Sequence, residues 1–240
     1  MPKSTMRAPG PADLVTLNRA SVVARLLSGV THEVNNALQV IGGMAELLQT
    51  TDALPQSVVK GLQRIASQNA RAAAAIQQLM AFSRQKADAP GRTNLREIVN
   101  QAVALRSYAI SRARLSIEVD VSSTGRFVVL GNAVLLQLAI LNLIINAEQA
   151  LAGQKGGAIR LALDERPGSI VLRVADNGPG VGAAAREELF ESFFTTRSRD
   201  EASGLGLFVT KLVAEQHGGT LTLEPQHEGA AFALRLPSAP

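Results

Sequence analysis

Residues 27–43 read LSGVTHEVNNALQVIGG, apolar at a regular interval and polar in between. Within and around this stretch Val23, Leu27, Val30, Val34, Ala37, Ile41, Met44 and Leu48 recur at alternating four- and three-residue steps. That is a heptad seam, and a helix that keeps one over several turns packs against other helices in a coiled-coil-like bundle. The spacing predicts a helix from about Asp13 to Thr50. A breaker, TTDALPQS, occupies 50–57, and a second helical pattern runs from about Ser57 to Lys86, with Val58, Leu62, Ile65, Ala72, Ile76 and Leu79 on its seam. Two antiparallel helices cannot bury such seams completely against each other. A dimer that makes a four-helix bundle satisfies both.

His32 stands two residues from both Val30 and Val34. At about 100° per residue its side chain points about 160–200° from the seam, toward solvent. Asn36 shares that face one turn on, and Glu33 is close enough for its carboxylate to reach the imidazole. A carboxylate on one ring nitrogen fixes the tautomer and leaves the other nitrogen nucleophilic near neutral pH. A His-Glu pair on a polar helix face is, by itself, an ordinary surface feature.

The chain of 240 residues has room for one or two domains with a buried core. Its 46% hydrophobic and 18% charged residues are globular in balance. Aromatics are only 3%, against the stacking platforms of single-stranded nucleic-acid binders. The net charge of +4 is spread along the chain, so no nucleic-acid footprint is indicated. The absence of cysteine excludes disulfide and thiolate chemistry and fits a reducing cytoplasm. The opening MPKSTMRAPGPADLV lacks the apolar core of a signal peptide. The run VLLQLAILNLII is shorter than a membrane span of about 20 residues and is interrupted by Gln137 and Asn142. A soluble, cytoplasmic chain without a membrane span is expected.

Residues 1–12 are Pro/Gly-rich and are read as a flexible N-terminus, 13–87 as the helical hairpin, and 88–94, within KADAPGRTN, as a linker. From 95 to 237 the texture is mixed. Helical patterns cover roughly 95–109, 132–152 and 205–217, and strand patterns are RLSIEVDV, RFVVL, AIRLALDE, SIVLRVAD, TLTLEP and AAFALRLP. Strands interleaved with helices without a regular βαβ rhythm predict an α+β sandwich with helices on one sheet face.

Three stretches of this second domain carry chemistry. LLQLAILNLIINAEQAL puts Asn142 and Asn146 four apart on one helix face. Such amides are commonly core or cap groups, yet near phosphates a neutral carbonyl oxygen can bind Mg²⁺. VADNGPGV ends a strand pattern, and Asp176 there could accept a hydrogen bond from an exocyclic amino group while Gly178 and Gly180 let backbone approach a flat ring. The same letters also describe a plain turn. SGLGLFVTKLVAEQHGG is a Gly-rich turn opening a helix, which presents amides and the positive dipole end to phosphate. Many helices begin with glycine.

Taken together, these stretches resemble the catalytic core of two-component sensor histidine kinases, over about residues 20–236. HEVNN is similar to the family's H-box, NLIINA to its N-box, DNGPGV to the first glycine box, LFESFFTTR to the phenylalanine box and GLGL to the second glycine box. Each box is weak alone, and the order and spacing of all five are specific. The resemblance implies a dimeric four-helix bundle followed by an α/β-sandwich ATP-binding domain. It implies that His32 accepts the phosphoryl group, with Glu33 its acid/base partner. Asn146 would hold Mg²⁺ on the triphosphate and Asn142 would be a secondary polar contact. Asp176 would read adenine, with Gly178 and Gly180 lining the base. Phe190, Phe193 and Phe194 would anchor a mobile lid through TTRSRDEAS, with Arg197 on phosphate, and Gly204 and Gly206 would bring amides to the phosphates. Thr195, Thr196, Ser203 and Leu205 fall in the same boxes and are counted with the nucleotide-binding residues. The implied cofactors are ATP and Mg²⁺. The implied partners are a response-regulator receiver domain, a second copy of the chain and, because about a dozen residues precede the first helix, a separate sensor protein or the remainder of a longer kinase.

The chain departs from the family pattern at Ala37, often proline, and at Ala202 and Ser203, where a Gly-Thr pair is usual. Asn132 replaces an acidic residue but can still cap a helix. Asn36 falls where Thr or Asn supports dephosphorylation of the partner. Related ATPases of the same fold hydrolyse ATP with a glutamate four residues before the Mg²⁺-binding asparagine; here that position is Asn142, so a base for water is missing. The remaining alternative is a non-catalytic phosphotransfer or scaffold module. His217 is read as structural and His227 as a solvated turn residue.

Overall fold

A computed structural model of the chain describes residues 10–22, 40, 61, 90–121, 125–196, 204–226 and 228–240. The expected bundle helices over most of 23–89, and with them His32, Glu33 and Asn36, lie outside the described residues, as do Arg197, Ser203 and His227. Residues 11–22 are helical and are designated α1. Leu14, Asn18 and Val22 are buried in it at four-residue spacing, so one face is covered.

The second domain begins earlier than its composition suggests. Gly91–Asn94, read as linker, is strand β1, paired antiparallel with β3, Val128–Gly131. Pairing overrides the Pro-Gly texture here, and the Thr93 hydroxyl adds a hydrogen bond to the Gly131 carbonyl at 3.1 Å. Asn94 then caps α2, Leu95–Arg112, its side chain accepting from the Arg96 amide.

The six expected strand patterns all form. The five-stranded sheet has the order β2-β4-β5-β7-β6, from Ser116–Val121, Ala158–Arg166, Ser169–Asp176, Ala231–Pro237 and Thr220–Glu224. β2 and β4 are parallel and the other pairs antiparallel. Two further helices are α3, Ala133–Ala150, and α4, Gly206–Gln216.

α3 is apolar all round because it is buried nearly all round: it packs against α2, α4 and β5. Leu136, Leu138, Ile140, Leu141, Leu143 and Ile144 are fully buried, each contributing about 1.5–3 kcal/mol. By length and composition Ala133–Ala150 would also suit a bilayer, with hydropathy 1.5; 67% of it is buried inside the domain.

His217 joins the helix ends. Its Nδ1–H donates to the Val213 carbonyl at 2.7 Å, and its Nε2 accepts from the Asn132 amide at 2.9 Å. That pattern requires the neutral Nδ1–H tautomer. Asn132 in turn caps α3, accepting from the Val134 and Leu135 amides. Both residues play the structural parts expected of them.

Candidate nucleotide-binding site

The site is a cavity between α1, α3, the end of β5 and the segment leading into α4. Asp176, at the end of β5, is 3% exposed. Its Oδ1 accepts from the Gly178 amide at 2.9 Å, and its backbone amide donates to the Ala230 carbonyl at 2.9 Å. Gly229, with φ of 74°, crosses directly over it: a Cβ there would come within 1.8 Å of the Asp176 carbonyl oxygen. The carboxylate is therefore set by the approach to β7 as much as by its own strand. Asn177 holds the neighbouring loop, accepting from the Ala158 amide at 2.7 Å and donating to the Gly156 carbonyl at 3.1 Å.

On the α3 wall Asn142 and Asn146 are both present, with different surroundings. Asn146 is half-buried and lines the cavity. Asn142 is 4% exposed and joined to Asn18 of α1. The Asn142 Nδ2 donates to the Asn18 Oδ1 at 2.9 Å, and the Asn18 Nδ2 returns a bond to the Asn142 Oδ1 at 3.3 Å.

At the opposite wall Gly204 and Gly206 meet the cavity at the start of α4. No side chain caps that helix start, which leaves first-turn amides directed at whatever occupies the site. Among the described residues no group of three or more His, Cys, Asp and Glu could hold a metal. A divalent cation here would need phosphate oxygens beside a neutral amide oxygen such as that of Asn146, a donor set that Mg²⁺ accepts.

The sequence matches the histidine kinase-, DNA gyrase B-, and HSP90-like ATPase family over residues 131–240, and the His Kinase A (phospho-acceptor) domain over residues 23–88. Together the two matched domains are those of a two-component sensor histidine kinase catalytic core. It is 34% identical over 229 residues to the C4-dicarboxylate transport sensor protein DctB of Rhizobium meliloti, covering 95% of this chain and 36% of that one. Thus this kinase core spans little over a third of that relative's length. Among solved structures, a mycobacterial sensor histidine kinase, MprB, is 28% identical with a TM-score of 0.53, covering 63% of this chain and 99% of that one. The histidine kinase ThkA, solved in complex with the response regulator protein TrrA, shares the fold at 18% identity and a TM-score of 0.54, over 92% of this chain and 63% of that one.

Within this kinase core the expected nucleotide residues fall into groups. Asn142, Asn146, Asp176, Gly180, Phe194, Thr195, Thr196, Gly204 and Gly206 line one cavity. Gly178 does not: it lies behind Asp176, where a Cβ would meet the carboxylate at 2.8 Å and the Ala150 carbonyl at 3.3 Å. Leu205 is fully buried and does not line the cavity either. Of the phenylalanines expected to anchor a lid, Phe190 packs against the core, edge-on to Phe232 with ring centroids 6.5 Å apart. Phe193, expected to anchor as well, is 52% exposed. The sequence reading missed Gly229 and Ala230, whose only signal was a glycine between two strand patterns. It also missed Asn18, Ser21 and Val22, because 13–22 reads as the start of a bundle helix.

Proposed function

We propose that this chain is the catalytic core of an ATP-dependent protein histidine kinase that phosphorylates its own His32 and passes the phosphoryl group to an aspartate of a response-regulator receiver domain. One observation carries the reading. Asp176, Asn146 and the uncapped start of α4 converge on a single cavity, in a chain whose other half matches a phospho-acceptor domain.

In this reading the Asp176 carboxylate receives the adenine amino group, while Gly180 allows the ring to lie against backbone. Gly204 and Gly206 give their amides to the phosphates. A Mg²⁺ ion arriving with the nucleotide would be held at Asn146 and would offset the charge of the β- and γ-phosphates. The Glu33 carboxylate holds the ring N–H of His32, and the other ring nitrogen attacks the γ-phosphorus. The N–P bond forms as the bond to the β,γ-bridging oxygen breaks, and ADP leaves with that oxygen. Asn142, neutral where hydrolytic relatives carry an acid, offers no base to water, which favours the imidazole as acceptor.

Further parts of the proposal are a homodimer through a four-helix bundle, a cytoplasmic location where ATP is available, and regulation by a separate sensor protein or further segments of a longer kinase. The ThkA–TrrA complex supports the receiver-domain partner. Asn36 is assigned to dephosphorylation of that partner by orienting water. Incubation with γ-labelled ATP and Mg²⁺ should give acid-labile label on the wild-type chain and none on His32→Gln. Label that persists in His32→Gln overturns the assignment, as does steady ATP hydrolysis without any label.

A further inference from the structure

The chain leaves β5 at Asn177, and the residue that ends the strand also completes its hydrogen bonding. The ladder between β4 and β5 closes with Ile159 opposite Asp176. One step further, the Asn177 backbone amide donates to the Ala158 carbonyl at 3.3 Å, and the Asn177 Oδ1 accepts from the Ala158 amide at 2.7 Å. In an antiparallel pair that second bond would go to the Asn177 backbone carbonyl. Here the side-chain oxygen stands in for it. The released carbonyl turns away from the sheet and accepts from the Gln154 side chain at 3.0 Å, while the Asn177 Nδ2 donates to the Gly156 carbonyl at 3.1 Å.

This exchange lets the backbone bend at once. The next amide, that of Gly178, comes back to the Asp176 Oδ1 at 2.9 Å. Gly178 is seated on the end of α3, where a Cβ would meet the Ala150 carbonyl at 3.3 Å. Asp176 and Ala150 line the cavity, and Asn177 does not. Asn177 thus braces the loop 151–157 on one side and the turn that holds the Asp176 carboxylate on the other.

An ionised carboxylate only accepts hydrogen bonds. It suits the exocyclic amino group of adenine and opposes the ring carbonyl of guanine. That opposition depends on a fixed direction, because a carboxylate able to swing can turn aside or admit water. Resting on the nucleotide reading above, we propose that Asn177 is a positioning residue for purine selection. It acts through Asp176, holding the carboxylate so that the site takes an adenine nucleotide and rejects a guanine one.

The test uses the full chain with Mg²⁺ and a fluorescent ATP analogue, displaced by ATP or by GTP. Asn177→Ala removes both side-chain bonds, whereas Asn177→Asp keeps an acceptor for the Ala158 amide and loses the donor to Gly156. Gly168→Ala, in the β4–β5 turn, is the control for lost stability: φ is 72° there, yet a Cβ meets nothing within 4 Å. The preference for ATP over GTP should shrink about tenfold in Asn177→Ala, by less in Asn177→Asp, and not at all in Gly168→Ala. A wild-type preference in Asn177→Ala overturns the positioning role and leaves the nucleotide reading standing. An equal shrinkage in Gly168→Ala overturns it as well, since stability alone would then be read. If Asn177→Ala binds neither nucleotide, Asn177→Asp decides: a reduced preference supports the role and an unchanged one overturns it. A wild-type chain that does not distinguish ATP from GTP overturns the assignment of Asp176 to adenine, and one that binds neither overturns the nucleotide reading.

Discussion

The backbone of Phe193 stands where a side chain on Gly204 would have to go. A Cβ at 204 would meet the Phe193 carbonyl carbon at 2.4 Å, and the two residues share left-handed backbone, with φ of 65° and 66°. The two ends of the expected lid, 195–203, are thus pressed together at one point beside the cavity. Phe193 holds this conformation without being glycine, at a cost of about 1–3 kcal/mol.

Gly204→Ala is expected to force that contact apart and lower phosphohistidine formation at least tenfold. Gly153→Ala serves as the control: φ is 79° there, but a Cβ meets nothing within 4 Å. It should cost about 1 kcal/mol of stability and leave labelling unchanged. Equal loss in both variants would mean that strain alone is being read.

Asp176→Asn keeps an oxygen for the Gly178 amide and should leave the turn folded. It removes the charge offered to adenine, worth about 1.5–3 kcal/mol, so affinity for a fluorescent ATP analogue should fall at least tenfold. Gly229→Ala, whose Cβ would sit 1.8 Å from the Asp176 carbonyl oxygen, should abolish binding through displacement of the same carboxylate. An Asp176→Asn protein that binds nucleotide normally would remove Asp176 from the site.

Arg106 of α2 and Glu148 of α3 form a two-pronged ion pair, with one arm, Nε to Oε1, at 2.8 Å and side chains only 10% and 13% exposed. Removing one partner strands the other charge against the core. Arg106→Ala is therefore expected to lose about 3 kcal/mol in urea unfolding, whereas Arg106→Met combined with Glu148→Leu should lie within about 1 kcal/mol of wild type. A double variant that loses as much as Arg106→Ala alone would show that the pair itself stabilises the fold.

Arg173 spans two strands, reaching Glu224 at 2.7 Å and Asp164 at 2.9 Å. The Glu224 hydrogen bond, opposed by burial and aided by both carboxylates' charge, holds the guanidinium proton more tightly than usual. A raised folded-state value gives stability that is complete below the unfolded value and lost only as pH climbs beyond it. The part-exposed site limits the bridge to about 1 kcal/mol or less. Arg173→Gln should thus lower the unfolding midpoint by the same small amount at each pH from about 6 to 9. A loss that shrinks as pH rises across that range would contradict this.

The parts of the fold legible in sequence were those with strong local periodicity. Strands such as AIRLALDE alternate as half-buried strands must, and the polar clusters of NLIINA and DNGPGV sit on elements that announce themselves. β1 was not legible, because Gly91–Asn94 gains strand character only from β3 across the gap. Phe193 was misread as an anchor, since a sequence gives ring chemistry but not the backbone turn that points a ring outward. Asn18 was invisible for a further reason: its partner lies 124 residues away, and nothing local distinguishes a docking amide from a helix-surface one.

The clasp between Asn18 and Asn142 is made of two uncharged groups. Ionic strength screens charges and leaves such a bond untouched, and neither side chain gains or loses a proton between acid and alkaline extremes. A hold of this kind ignores salt and pH, so the register it sets between α1 and α3 is the same in any buffer in which the chain folds.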